Sequence, residues 1–157
     1  MGSRERVAAF LSSSGVPVEI KEFGESTRNS ELAAQALGCS VAEIAKSVVF
    51  VGKSTAVVIL SGDRTVDVTK LSELVGEDLR IAKPDEVRNR TSFPIGGVPP
   101  FPHADGVAVL PDSSLMRFQE VWAAAGTPNA VFRITSSDLI RLVGNGPFEL
   151  SQEVKRL

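Results

Sequence analysis

The sequence predicts an α+β (mixed α/β) fold, a mixed central sheet or open barrel flanked by helices, as a single domain over residues 1–157. Three observations predict it. Two Val/Ile/Phe-rich runs, 47–51 and 55–60, are separated only by Gly52-Lys53-Ser54, which is the spacing of a hairpin. Ala/Leu-rich stretches of helical spacing, each stopped by a glycine, alternate with such runs. A chain of 157 residues is also long enough to bury one core without disulfides or metal. No internal repeat, low-complexity tract or linker divides it.

The elements follow in order. Residues 3–14 read as a helix with Val7, Phe10 and Leu11 on one face and Gly15 at its end. Residues 18–23 alternate with period two, as a half-buried strand does. Asn29-Ser30 precedes a helix over 31–37 that Gly38 stops, and Ser40-Val41-Ala42-Glu43 is a capping box that starts a second short helix and carries Ile44 inward. The two hairpin strands are near-continuously apolar, as strands buried on both faces are. Asp67 caps a helix to Val75, closed by Gly76. After a short strand at 79–82, Pro84 takes the first position of another helix, with Asp85 and Glu86 at its positive end. Residues 91–102 hold too many Pro and Gly for helix or strand, yet are apolar; rigid apolar loops tend to line pockets. A strand at 107–110 and a turn at Pro111-Asp112 come next. The segment from there to Ala125 reads as helix on propensity alone. Residues 131–134 form a strand, Ser136-Ser137-Asp138 caps a helix to Val143, and 148–150 return to the sheet.

Composition narrows the function. An apolar fraction of 43% and a charged fraction of 23% are ordinary for a folded domain. The single cysteine, Cys39, excludes an intramolecular disulfide and fits a reducing compartment; a buried structural thiol is its plainer role. With His103 the only histidine, no His/Cys zinc site can be assembled, so neither metal nor cofactor is expected. No signal-like or bilayer-spanning apolar run is present, so a cytoplasmic location and no membrane partner are expected, and the Asn89-Arg90-Thr91 sequon has no meaning there. A net charge of −2 argues against coating DNA or other long nucleic acids, but allows a grip on one end of an RNA. Arg80, Lys83, Arg88 and Arg90 outnumber Asp85 and Glu86 locally, for which a solvated helix face is the plainer account.

Familiar motifs fail. Gly52-Lys53-Ser54 lacks the P-loop glycine five residues earlier, where Ser47 stands, and precedes a strand instead of a helix. Gly144-Asn145-Gly146 lacks the third glycine of a dinucleotide fingerprint, and there is no G-x-S-x-G elbow. Asp85 and Glu86 are adjacent, so on a helix they diverge. What survives is Lys46 at the mouth of a buried strand. An ammonium there must snorkel or find an anion, so Lys46 is either a snorkelling lysine or a fixed cation that grips a phosphate or polarises a carbonyl.

Glu31-Leu32-Ala33-Ala34, Gly38 and Ile44-Ala45-Lys46-Ser47-Val48-Val49-Phe50 resemble the front half of the YbaK/ProX family of editing domains. That family has an alanine-rich helix, a glycine, and a lysine followed by Thr or Ser and an apolar strand. Its G-x-x-x-P loop is matched by Gly96-Gly97-Val98-Pro99-Pro100. Asp112 before a short helix, Gly126 after a strand and Ser136-Ser137-Asp138-Leu139 extend the similarity from Phe10 to Leu150.

The resemblance implies a free-standing aminoacyl-tRNA deacylase like the editing domain of prolyl-tRNA synthetases. It would hydrolyse the ester of a mischarged tRNA, proline tRNA with a small wrong residue being the family expectation. Its partners would be the acceptor end of that tRNA and a prolyl-tRNA synthetase. Water or a substrate group attacks the acyl carbonyl, and the protein positions and stabilises charge. Carried over, Lys46 anchors the acylated 3′ end, and the amides of Gly96 and Gly97 face the developing oxyanion. Ser47, Ile95, Val98, Pro99 and Pro100 contact substrate, and Phe93 and Phe101 wall the pocket. His103 fits a proton donor to the leaving hydroxyl, although a packing role is the plainer account. Trp122 fits either an adenine-stacking platform or a half-buried strand position. The resemblance also turns 121–125 from helix to strand. Ser47 for Thr is a mild departure; the stiff Val98-Pro99-Pro100-Phe101 and residues 122–129 look closer to members that handle other small amino acids. Two other readings keep the same residues: a non-catalytic module that holds an acceptor end or a synthetase, and a general hydrolase of aminoacyl esters or amides.

Overall fold

A computed structural model describes residues 2–24, 27 and 29–154. Local signals place most of the elements. Helix α1 (Ser3–Ser14) ends at Gly15, and strand β1 is Ile20–Glu22. Asn29 accepts a hydrogen bond from the Leu32 N–H at 2.8 Å to open α2 (Ser30–Leu37), which Gly38 closes in the left-handed region. The Ser40/Glu43 capping box then makes only one 3₁₀ turn, Val41–Glu43, because β2 (Ile44–Val51) begins at once. β2 and β3 (Thr55–Ser61) form the expected hairpin. β4 (Arg64–Val66) follows, then α3 (Val68–Val75), capped by Asp67 accepting from the Lys70 N–H at 3.2 Å. β5 is Arg80–Ile81, and α4 (Pro84–Thr91) starts on its proline. β6 (Val107–Pro111), a 3₁₀ segment Ser113–Arg117, β7 (Glu120–Ala124), β8 (Ala130–Thr135), α5 (Ser136–Val143) and β9 (Ser151–Glu153) complete the chain.

The seven-stranded sheet runs β1-β8-β7-β2-β3-β6, with β5 also on β2. It is mixed: β2–β7 and β3–β6 are parallel, the other pairs antiparallel. β3 is buried along its whole length and feeds two cores by alternation. Val57 and Ile59 pack with Val7, Leu11, Phe93, Phe101 and Phe132 on one face; Val58 and Leu60 pack with Phe50, Leu71, Leu79 and Leu150 on the other. No helix among the described residues is long and apolar enough to cross a membrane.

Three local expectations change, and the strand that the family resemblance required at 121–125 is present as Glu120–Ala124, despite a helix-forming Trp-Ala-Ala-Ala composition. Small side chains fit between β2 and β8, where Val121 and Ala123 are buried. The cap of α5 is Thr135, not the serines after it; its hydroxyl accepts from the Asp138 N–H at 3.1 Å. Residues 148–150 do not rejoin the main sheet. They make a single bridge, Asp112 to Phe148, and lead into β9, which pairs with β4 as a separate two-stranded ribbon. Cys39 is half-buried instead of buried, against the small cluster of Ala33, Ala34 and Ile44, where burial pushes its thiol pKa up.

One irregularity of the sheet creates the site. On the side of β2 away from β3, β7 pairs only with Ile44 and Ala45, and β5 only with Phe50 and Val51. Between them the edge forks. The Ala82 N–H reaches the Val49 carbonyl at 2.9 Å, but residues 46–48 have no strand neighbour on that side among the described residues. The Gly62 N–H donates to the Ile44 carbonyl from the β3 side, so alternation turns the backbone N–H and C=O of Ser47 toward the fork.

Candidate active site

A cavity of about 340 Å³ opens in this fork, a volume in the range that small ligands occupy. Lys46 and Ser47 of β2 line it, with Thr27, Asn29 and Glu31 at the start of α2, Trp122 of β7, and Ile95, Gly96 and Val98 of the loop after α4. Lys46 is half-buried. Its Nζ donates to the Gly62 carbonyl at a long 3.4 Å. Burial lowers its pKa, while the negative charges of Glu31 and Asp63 act the other way. The ammonium is therefore partly stripped of water and weakly partnered, which is the state of a cation kept for an incoming anion. One residue on, and on the opposite face of β2 by strand alternation, the Ser47 hydroxyl is buried with no hydrogen-bond partner among the described residues. A buried orphan hydroxyl on a cavity wall is satisfied most simply by whatever enters the cavity.

The loop contributes less than its composition promised. Gly96 lines the cavity with φ at 81°, a conformation that favours glycine, and no carbonyl among the described residues accepts its N–H. Gly97 corrects the sequence reading. Its N–H is engaged by the Pro94 carbonyl at 2.9 Å, so it is not a free oxyanion donor. The glycine is needed for another reason: a Cβ there would sit 2.8–2.9 Å from the backbone of Thr127. Gly97→Ala should therefore push the loop off the 126–129 turn and cost about 1–3 kcal/mol, read as a lower denaturation midpoint; an unchanged midpoint would show that this contact is not needed.

Val98 is a buried wall residue and Ile95, 54% exposed, stands at the mouth. Pro99 and Pro100 are buried but lie outside the lining, which removes them from direct contact. Phe93 and Phe101 do not wall the cavity either. Phe93 is fully buried under the Arg6 guanidinium, 4.1 Å from its ring centroid, and Phe101 stacks on Phe10 and Phe132 at 4.8 and 5.8 Å. The apolar character of this loop serves the core behind it as well as the cavity before it, and composition does not distinguish the two sides. His103 also lies outside the lining. Its Nε2 and the Pro99 carbonyl are 2.7 Å apart, its ring meets the edge of Phe93, and its Nδ1 is buried without a partner. Burial lowers its pKa, and the contacts to Pro99 and Phe93 make the ring a brace for the loop. Trp122 is half-buried on the wall, with Lys21 and Arg133 over its ring at 5.3 and 5.4 Å. Sequence reasoning passed over Glu31 and Ile81 as lining residues. In the sequence Glu31 counted only as the first residue of the Ala/Leu-rich helix motif, and Ile81 only as part of a short strand.

A helix-flanked mixed sheet with one lysine in a forked edge is thus paired with a glycine loop facing it. The aminoacyl-tRNA editing domain family matches residues 24–142, which contain every segment lining the cavity. The chain belongs to that family. Among its relatives, this editing domain is 37% identical over 123 residues to the uncharacterized protein YwhH of Bacillus subtilis (strain 168), covering 77% of this chain and 78% of that one. It is 36% identical over 86 residues to a proline–tRNA ligase of Pseudothermotoga lettingae, covering 54% of this chain but 15% of the ligase. A crystal structure of a candidate trans-editing enzyme for prolyl tRNA synthetase superposes with a TM-score of 0.87 at 41% identity, over 97% of this chain and 98% of that one. Helix α1 and strand β9 lie outside the matched span of the editing domain; α1 still closes its core through Val7 and Leu11.

Proposed function

We propose that this chain is a trans-editing aminoacyl-tRNA deacylase that hydrolyses the ester of a mischarged tRNA, most simply proline tRNA carrying a small wrong residue. The observation that carries the proposal is the half-desolvated Lys46 followed by the unpartnered Ser47 hydroxyl, one from each face of β2, in its forked edge. Water attacks the acyl carbonyl carbon and the bond to the ribose oxygen breaks. The amino acid leaves with a new carboxylate, and the 3′-terminal ribose regains its hydroxyl. Lys46 holds the acylated 3′ end by its charge, and the Ser47 hydroxyl with the Gly96 N–H faces the carbonyl oxygen as it becomes negative. Val49, Val87 and Val98 make the cavity apolar where the amino-acid side chain would sit. The similarity to a proline–tRNA ligase and to a candidate trans-editing enzyme for prolyl tRNA synthetase supports proline tRNA as substrate and a prolyl-tRNA synthetase as partner. The cytoplasm, where both would be met, is the proposed location.

The test is hydrolysis of proline tRNA charged with Ala, Cys, Ser, Thr or Pro. Release of one or two small residues with Pro-tRNA spared is the expected result. Binding of tRNA without release from any member would instead support a non-catalytic acceptor-end module, and activity indifferent to competing uncharged tRNA a general ester hydrolase.

A further inference from the structure

We infer that Glu31 reads the free α-ammonium of the acyl group, so that the site takes aminoacyl esters only when their amine is unblocked. The inference rests on the deacylase reading above and adds a specificity determinant to it. Among the described residues lining the cavity, Glu31 is the one carboxylate and Lys46 the one cation. The two come from different elements, α2 and β2, so the cavity has an acidic wall and a basic wall. The position of Glu31 is fixed from both sides. The Asn29 side chain ties down the first turn of α2 through the Leu32 N–H, and Ala33 and Ala34 seat the helix against Ile44, with Trp122 packed on the same cluster.

Placement in a first helical turn already favours a carboxylate. It does not require that carboxylate to line a cavity. Among the described residues no donor hydrogen-bonds to the Glu31 side chain and no cation pairs with it, whereas Glu22, Glu86, Glu120, Asp63 and Asp138 each hold an arginine. Its charge is felt by Lys46, which places the two groups within electrostatic reach of one another.

The chemistry of the substrate supplies the complement. An unblocked aminoacyl ester carries an amine on the carbon next to the carbonyl, and that amine is largely protonated near neutral pH. Drawing an ammonium into an apolar cavity is costly unless an anion meets it. Drawing it toward Lys46 alone would add like-charge repulsion. Glu31 removes both penalties and orients the carbonyl toward β2, because the amine and the carbonyl share one carbon.

The experiment uses the full chain and proline tRNA charged with Ala, Cys, Ser or Thr, each prepared with a free and with an N-acetylated amine. The wild type should cleave the free-amine form of its preferred ester at least about 10-fold faster than the acetylated form. Glu31→Gln should lower kcat/KM for the free-amine form by about 10–100-fold and that for the acetylated form by a clearly smaller factor, and Glu31→Asp should keep part of the discrimination. Equal cleavage of free and acetylated esters by the wild type would overturn the inference. So would a Glu31→Gln variant that slows both forms by the same factor, since that would show Glu31 acting only through Lys46. Cleavage of neither form by the wild type would overturn the deacylase reading itself, and the inference with it.

Discussion

Lys46→Ala is expected to lower hydrolysis of a mischarged tRNA by about 10²–10³-fold while leaving the fold intact. The size follows from where the ammonium sits. It is half-buried on the cavity wall with one long hydrogen bond, to the Gly62 carbonyl at 3.4 Å, so its charge is little spent on the protein. Charge that is not neutralised in the free protein is available to the 3′ end and to the negative charge that grows on the ester oxygen. The same accounting predicts no loss of stability, because truncation removes a desolvated cation and breaks a single weak bond. Lys46→Arg is not expected to rescue activity, as a planar fork does not fill the place of a point charge in a fixed cavity. Burial lowers the pKa of Lys46, and the charged form is the active one, so activity should fall as pH rises through a range below that of an ordinary lysine. Single-turnover rates with thermal midpoints for both variants are the measurement. A fully active Lys46→Ala would end the assignment, and an unfolded one would make Lys46 a structural residue.

The parts of the molecule that were legible in the sequence are those fixed by neighbours in the chain. Asn29, Asp67 and Pro84 mark helix starts because an N-cap or a first-turn proline acts within three residues, and the 47–60 hairpin announces itself by its turn. Lys46 stood out because a lysine at the mouth of an apolar strand is locally costly. The cavity itself was not legible. It exists because β7 pairs with two residues at the start of β2 and β5 with two at its end, and no local pattern reports a pairing between residues 44 and 122. The loop at 91–102 shows the same limit more finely. Its apolar content is real, but Phe93 and Phe101 turn to the core while Ile95 and Val98 turn to the cavity, a choice made by packing against Phe10, Phe132 and Arg6. Residues 120–124 show tertiary context overriding propensity, since Ala123 is buried between two strands where helix preference has no say.

Asp112→Ala is expected to be the most destabilising single change away from the cavity, by about 3–4 kcal/mol. Asp112 is 1% exposed and accepts three hydrogen bonds: from the Ser114 N–H at 3.0 Å, the Leu150 N–H at 2.7 Å and the Ser151 hydroxyl at 2.7 Å. Ser114 in turn accepts from the Ser61 N–H at 3.1 Å, so one carboxylate joins the end of β3, the 3₁₀ segment and the chain leading into β9. Alanine leaves those donors without their acceptor, two of them the N–H groups of the buried Ser114 and Leu150, and a buried donor left unpaired costs more than the bond it made. The pH dependence has a definite sign. Burial pushes the Asp112 pKa up, but the bonds from Ser114, Ser151 and Leu150 outweigh it and hold the carboxyl below its ordinary value. The contribution is then fully present above the unfolded value of about 3.9 and is lost as pH falls through the lower folded value. Urea denaturation of wild type and variant at neutral pH should show the full gap, and a series carried well below pH 4 should show it closing. A gap that stays constant down that series would mean that Asp112 acts by shape alone and not by the charge that gathers its three donors.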